Sequence, residues 1–148
     1  MKAKDIMNKN VVKVGPEDNV NDLVKLLLEK KISGVPVVNE ENEVIGIVSE
    51  TDLIYPEKSV HLPAFIPILD SIIFIESFKK LEKEIKKMAA YKVKDVMNED
   101  VITVREDVDI EEIVNIFVDK RINRAPVVDE NNRLLGIITR TDILKHIY

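Results

Sequence analysis

The chain contains itself twice. Lys4–Ile54 falls on Lys94–Leu144 without a gap, and about 18 of the 51 paired positions carry the same residue. Lys4-Asp5-Ile6-Met7-Asn8 lies on Lys94-Asp95-Val96-Met97-Asn98, and Pro36-Val37-Val38 lies on Pro126-Val127-Val128. Gly46-Ile47-Val48-Ser49-Glu50-Thr51-Asp52 lies on Gly136-Ile137-Ile138-Thr139-Arg140-Thr141-Asp142. A unit this short seldom buries enough apolar surface to stand alone. The two copies are therefore expected to pack face to face about a pseudo-twofold axis. The organisation reads as a first repeat over residues 1–54, an insert over 55–91 and a second repeat over 92–148.

Each repeat reads β-α-β-β-α, a mixed α/β (α+β) unit. Val11–Val14 and Val101–Val104 are β-branched runs, read as strands. Val20, Leu23, Val24, Leu27 and Leu28 recur at helical spacing, as do Ile110, Ile113, Val114, Phe117 and Val118. Asn19 and Asp109 stand where an N-cap belongs, each with an acid three positions on. Val35–Val38 and Val44–Val48 flank the polar turn Asn39–Glu43, a hairpin signal. Ser49 and Thr139 are the expected caps of a second helix.

The insert differs. Pro56, Pro63 and Pro67 punctuate its first half. Phe74, Phe78, Leu81, Ile85 and Met88 then form a heptad-like stripe, read as an amphipathic helix that packs on its own chain or presents a partner surface. The most apolar stretch, Leu62–Phe78, contains Pro63, Pro67, Asp70 and Glu76 and is a poor membrane span.

Composition excludes several kinds of chemistry. Lys plus Arg is 22 against 27 Asp plus Glu, a net charge of −5, which argues against general nucleic-acid binding. There is no cysteine, so thiol catalysis, disulfides and thiolate metal sites are out. His61 and His146 are isolated, without metal-ligand spacing, and the four glycines make no phosphate loop. No nucleophile–base pair stands out, so the chain is read as no enzyme. No signal peptide precedes the first repeat, and a cytoplasmic location is expected.

Two features recur at strand ends. Ile32-Ser33-Gly34-Val35-Pro36 and Ile122-Asn123-Arg124-Ala125-Pro126 are short segments ahead of a proline, which holds its predecessor extended. Exposed backbone groups there suit the edge of a planar base. The second feature is a hydroxyl with a carboxylate three residues on, Ser49 with Asp52 and Thr139 with Asp142. At a helix N-terminus a hydroxyl and free N–H groups suit a phosphate oxygen. A carboxylate one turn on can accept both hydroxyls of a ribose. The same pattern is also an ordinary helix cap; its double occurrence, each time after Pro-Val-Val and Gly-apolar-apolar, gives it weight.

In these segments the chain resembles a pair of CBS domains, the regulatory module named after cystathionine β-synthase and also called a Bateman module. Asp5-Ile6-Met7, Ile32–Asn39 and Gly46–Leu53 carry the resemblance, repeated in Asp95-Val96-Met97, Ile122–Asp129 and Gly136–Ile143. The resemblance implies two clefts for adenosine-type ligands, with no obligatory cofactor or metal. AMP, ADP or ATP lead, with S-adenosylmethionine and cyclic di-AMP behind. Ser49 and Thr139 would contact phosphate or ribose, Asp52 and Asp142 the ribose diol, and Ile32–Val35 and Ile122–Ala125 the base. It also implies a homodimer, and an energy-sensing role for a separate effector protein, since the repeats and insert account for all 148 residues.

The copies differ at two sites. Arg124 and Arg140 stand where the first repeat has Gly34 and Glu50. A guanidinium beside a phosphate forms charge-assisted bonds, so the second cleft is expected to hold phosphate better. The competing expectation is an interaction module whose clefts are structural and whose working surface is the insert helix.

Overall fold

The structure, a computed structural model, describes residues 1–54 and 91–148. The stripe from Phe74 to Met88, the stretch Leu62–Phe78 and His61 lie outside the described residues. The elements in chain order are α1 (Ala3–Ile6), α2 (Val20–Lys30), β1 (Gly34–Val38), β2 (Val44–Ser49), α3 (Glu50–Ile54), α4 (Val93–Val96), β3 (Val104–Arg105), α5 (Ile110–Lys120), β4 (Arg124–Val128), β5 (Leu134–Thr139) and α6 (Arg140–Ile147). The β-α-β-β-α reading is realised in the second repeat, with the short helix α4 added ahead of it. The first repeat carries the same helices and hairpin, with α1 ahead of them. Among the described residues no helix is long and apolar enough to cross a membrane.

Helices α2 and α5 form where the apolar spacing requires them. Leu23, Val24 and Leu27 of α2 and Ile113 and Phe117 of α5 are buried. Asn19 caps α2 by accepting the Asp22 N–H at 2.8 Å. Asp109 precedes α5 but its side chain accepts no cap bond; its backbone instead bridges Lys2. Both helices stop at a residue in the left-handed region, Lys31 (φ 53°) and Arg121 (φ 54°). The next N–H, of Ile32 or Ile122, then reaches back to Leu27 or Phe117 at 3.1 Å, which closes the helix and turns the chain into the following strand.

The runs expected as strands are shorter than read. Val14 makes a single parallel bridge with Val37, and of the second run only Val104 is in a strand, forming β3 together with Arg105. Val11 and Val101 instead pack against an apolar cluster of Val38, Val44, Val128 and Leu134. Their β-branched pattern therefore serves packing rather than a ladder.

By contact the chain forms two compact units, and neither is a single repeat. Unit 1 comprises Met1–Val12, Val38–Ile45 and Asp100–Tyr148. Its sheet has the order β3-β4-β5, with β3 parallel and β5 antiparallel to β4. The core joins Ile113 and Phe117 of α5, Ala125 and Val127 of β4, Ile138 of β5 and Ile143 of α6. Ala3 and Ile6, from the other repeat, complete it. Segment 1–8 is held by backbone bonds to Glu106, Val108 and Ile110 and by a two-bond bridge between Asn8 and Ile137.

Among the described residues, unit 2 comprises Lys13–Val37, 46–54 and 91–99. It repeats the arrangement with the partners exchanged: α2, the bodies of β1 and β2, and α3 are joined by α4 of the second repeat. Val20 N–H donates to Tyr91, Val93 to Asp18 and Lys94 to Pro16, and Asn98 exchanges two bonds with Ile47. Each repeat thus lends its first few residues to the other. Glu17 pairs with Lys92 at 2.6 Å and Lys94 at 3.0 Å in this unit.

Candidate nucleotide site

In unit 1 the hydroxyl-carboxylate motif sits where β5 runs into α6. Thr139 N–H and Oγ1–H both donate to Asp142 Oδ2, at 2.9 and 3.0 Å, and Thr139 Oγ1 accepts the Asp142 N–H at 3.3 Å. This is a reciprocal capping box. One carboxylate oxygen is committed to the cap. The other, Oδ1, has no hydrogen-bond partner among the described residues. In unit 2 Ser49 N–H and Oγ–H donate to Asp52 Oδ2 at 2.8 and 3.2 Å. Both motifs are half-buried.

The structure brings the segment ahead of the proline to the same place. Arg140 N–H donates to the Asn123 carbonyl at 3.1 Å, and Glu50 N–H donates to Ser33 at 2.9 Å. Each bond ties the entry to a strand to the start of the helix after its hairpin partner. Those two backbone groups are therefore spent on each other. Of the helix-start N–H groups in unit 1, that of Thr141 remains without a partner among the described residues.

Strand alternation sorts the side chains beyond this point. Ala125 and Ile138 are register partners and both are fully buried. Their neighbours Arg124 and Thr139 are also partners across β4 and β5 and face the other side of the sheet. Directly opposite residues on one face bring their Cβ atoms to about 5 Å. Arg124, half-buried, thus stands beside the Thr139–Asp142 motif. Gly34 holds the equivalent place in β1. Pro126 and Pro36 are buried within their strands, next to the buried Ala125 and Val35. Ile122 and Ile32 are half-buried at the helix-to-strand turns.

Arg140 goes elsewhere. At 3.6 residues per turn, Asp142 lies about 200° around α6 from Arg140. Arg140 shares its face with Ile143 and Leu144. Together with Val118, Arg121, Ile122 and Asn123 they border a cavity of about 410 Å³ that Thr139 and Asp142 do not line. Unit 2 has a counterpart of about 370 Å³, bordered by Leu27, Leu28, Lys31, Ile32, Ser33 and Glu50. Helical geometry alone was the signal that separates Arg140 from Asp142. The rims of the unit-1 cavity expose apolar side chains, Val118 at 68% and Leu144 at 56%.

Electrostatic shifts gather at the hairpin turns and around Glu17. The Lys92 and Lys94 ammonium groups hold the Glu17 carboxyl below the ordinary carboxylate range, and Glu17 in turn raises Lys92. The backbone N–H of Arg133, with that of Asn131, lowers Asp129. No group of three or more His, Cys, Asp or Glu residues is placed to hold a metal ion among the described residues.

The family model described as CBS domain covers residues 3–56 and 93–148. The chain is 32% identical over 155 residues to uncharacterized protein MJ1426 of Methanocaldococcus jannaschii, covering 98% of this chain and 90% of that protein. It is 35% identical over 144 residues to inosine-5'-monophosphate dehydrogenase of the same organism, covering 97% of this chain but only 23% of the enzyme. The crystal structure of CBSX2 in complex with AMP aligns with a TM-score of 0.72 at 28% identity, covering 99% of this chain and 95% of that one. CBSX2 is a protein of Arabidopsis thaliana.

Proposed function

The chain belongs to the CBS domain family as a tandem pair, and from that premise we propose that it is a non-catalytic regulatory module that senses an adenosine nucleotide. The observation that carries this reading is convergence. Thr139, Asp142 and the Ile122–Pro126 segment meet at one end of β4 and β5, in a fold whose solved relative CBSX2 holds AMP.

The residues divide the ligand between them. Asp142 Oδ1 accepts the ribose hydroxyls while Oδ2 keeps the cap. Thr139 and the Thr141 N–H meet the phosphate, and Arg124 adds a charge-assisted bond to it. Ile122–Ala125 flank the base. In unit 2 Ser49, Asp52 and Ile32–Pro36 offer the same groups without the guanidinium, since Gly34 replaces Arg124. The unit-1 site is therefore the better phosphate binder. Arg140 is left out of the phosphate set because its face of α6 is turned from Asp142. The ligand classes are AMP, ADP and ATP ahead of S-adenosylmethionine and cyclic di-AMP.

The module acts by population shift: a nucleotide that binds one conformation better draws the protein toward it, and a separate effector in the cytoplasm reads the change. A homodimer fits the exposed apolar rim of Val118, Leu144 and Ile147 on α5 and α6. Sedimentation of wild type and Val118→Lys tests this: loss of a dimer supports it, and a monomeric wild type removes it.

A thermal-shift panel with the five ligands tests the nucleotide reading. Binding to the folded state raises the melting temperature, by an amount that grows with the logarithm of ligand concentration over Kd. A rise with AMP, ADP or ATP, diminished in Asp142→Asn, supports the reading. No rise with any ligand, from protein shown free of co-purified nucleotide, overturns it.

A further inference from the structure

We infer that residues 1–8 are an output strap whose docking on β5 is linked to occupancy of the unit-1 site. The inference rests on the nucleotide reading above and adds where the signal leaves the unit. Met1 O accepts from Ile110 N–H at 2.9 Å, Ala3 N–H donates to Val108 at 2.8 Å, and Lys4 N–H donates to Glu106 at 3.0 Å. Asn8 and Ile137 exchange both backbone bonds, at 2.9 and 3.0 Å. Ile137 lies two residues before Thr139 on the same strand. β5 is thus gripped on one edge by the strap and on the other by β4, and it ends in the capping box of the site.

The fit between strap and strand is tight and depends on a missing side chain. A Cβ at Gly136 would meet Met7 Sδ at 2.7 Å, Met7 Cγ at 2.8 Å and the Asn8 carbonyl oxygen at 2.9 Å. The side chain can swing away, but the backbone oxygen moves only if the strap moves. The strap carries just two buried anchors, Ala3 and Ile6. A short segment with so few buried contacts belongs to the low-stability end of a fold, where local opening precedes global unfolding. A ligand that braces β5 at Thr139 and Asp142 favours the docked strap, and by reciprocity a docked strap favours the ligand by the same factor.

Amide hydrogen exchange on the full chain, with and without saturating AMP, tests this alongside calorimetry. The expected result is that the Asn8 and Ile137 amides slow by about fivefold or more with AMP. Gly136→Ala is expected to speed exchange at Asn8 and to weaken AMP binding by a similar factor. Unchanged exchange at Asn8 and Ile137, while calorimetry shows AMP bound, overturns the inference and leaves the nucleotide reading standing. A Gly136→Ala protein with a released strap and wild-type AMP affinity also overturns it. Absence of any AMP heat instead sinks the nucleotide reading itself. If Gly136→Ala does not fold, the wild-type exchange decides.

Discussion

Asn42 and Asn132 brace each other's turns. The side-chain amide of Asn42 donates to the Leu134 carbonyl at 3.1 Å, and that of Asn132 donates to the Val44 carbonyl at 2.9 Å. Their backbones do the same: Leu134 N–H donates to Asn42 at 2.9 Å and Val44 N–H to Asn132 at 3.0 Å. Both residues sit in the left-handed region, at φ 63° and 64°. The four bonds tie the tips of the two hairpins within unit 1, above the cluster of Val38, Val44, Val128 and Leu134.

Asparagine is used here for two reasons, and substitutions separate them. Asn132→Ala loses the amide bond and leaves in the left-handed region a residue without the short polar side chain that lets asparagine adopt it, for an expected loss of about 1–2 kcal/mol. Asn132→Gly loses only the bond and is expected to cost about 1 kcal/mol or less. Urea unfolding of both variants checks this. Equal losses would mean that turn strain plays no part.

Gly46 of β2 and Gly136 of β5, which face Met97 and Met7, are expected to differ. At Gly46 a Cβ would meet Met97 Sδ at 2.6 Å, but the nearest backbone atom, Asn98 O, is at 3.3 Å. At Gly136 the equivalent backbone oxygen is at 2.9 Å. Gly136→Ala should therefore destabilise by about 1–3 kcal/mol, the usual range for overpacking, and Gly46→Ala by less. The order of their melting temperatures is the readout, and a reversed order would contradict the packing argument.

The Glu17 cluster gives a signed pH dependence. The Glu17 carboxyl lies below its ordinary value of 4.5 because Lys92 and Lys94 donate to it. Its contribution is full above that value and is lost as pH falls through the depressed one. Lys92 lies above its ordinary 10.5, so its share is present below that and lost as pH rises through the raised value. The stability difference between wild type and Glu17→Gln should be flat at neutral pH and shrink in acid. The groups are exposed, so the difference should be small and fall further at high salt. A difference that grows in acid would contradict the assignment.

The two arginines should separate by ligand. Arg124→Ala is expected to weaken AMP about tenfold, as loss of a charge-assisted bond implies, while leaving adenosine nearly unchanged. Arg140→Ala should affect both less. Titration calorimetry with AMP and adenosine reads the split, and a larger AMP loss from Arg140→Ala would restore that residue to the phosphate site.

Much of this was legible in the sequence for a physical reason. The apolar spacing of Val20–Leu28 and Ile110–Val118 encodes a buried helix face, and burial is what shapes those helices. Thr139 and Asp142 announce a cap because the side chains that make it are local. The exchange of first segments left no such trace. Residues 1–8 and 91–98 dock chiefly through backbone groups, which every residue carries, and α1 and α4 span four residues each, too short for a period. Val11–Val14 and Val101–Val104 misread as full strands because β-branched residues also fill small cores. Arg140 and Asp142 are neighbours within one motif but lie on different faces of α6, which sequence adjacency alone does not show.

Titration calorimetry of AMP into wild type and Asp142→Asn tests the central claim most directly. Asparagine retains an oxygen for the Thr139 N–H but takes the charge from the ribose site. Saturable AMP binding by wild type is expected, with at least a tenfold loss in Asp142→Asn, about 1.4 kcal/mol or more. Equal affinity in the two proteins, or no binding to nucleotide-free wild type, would contradict it.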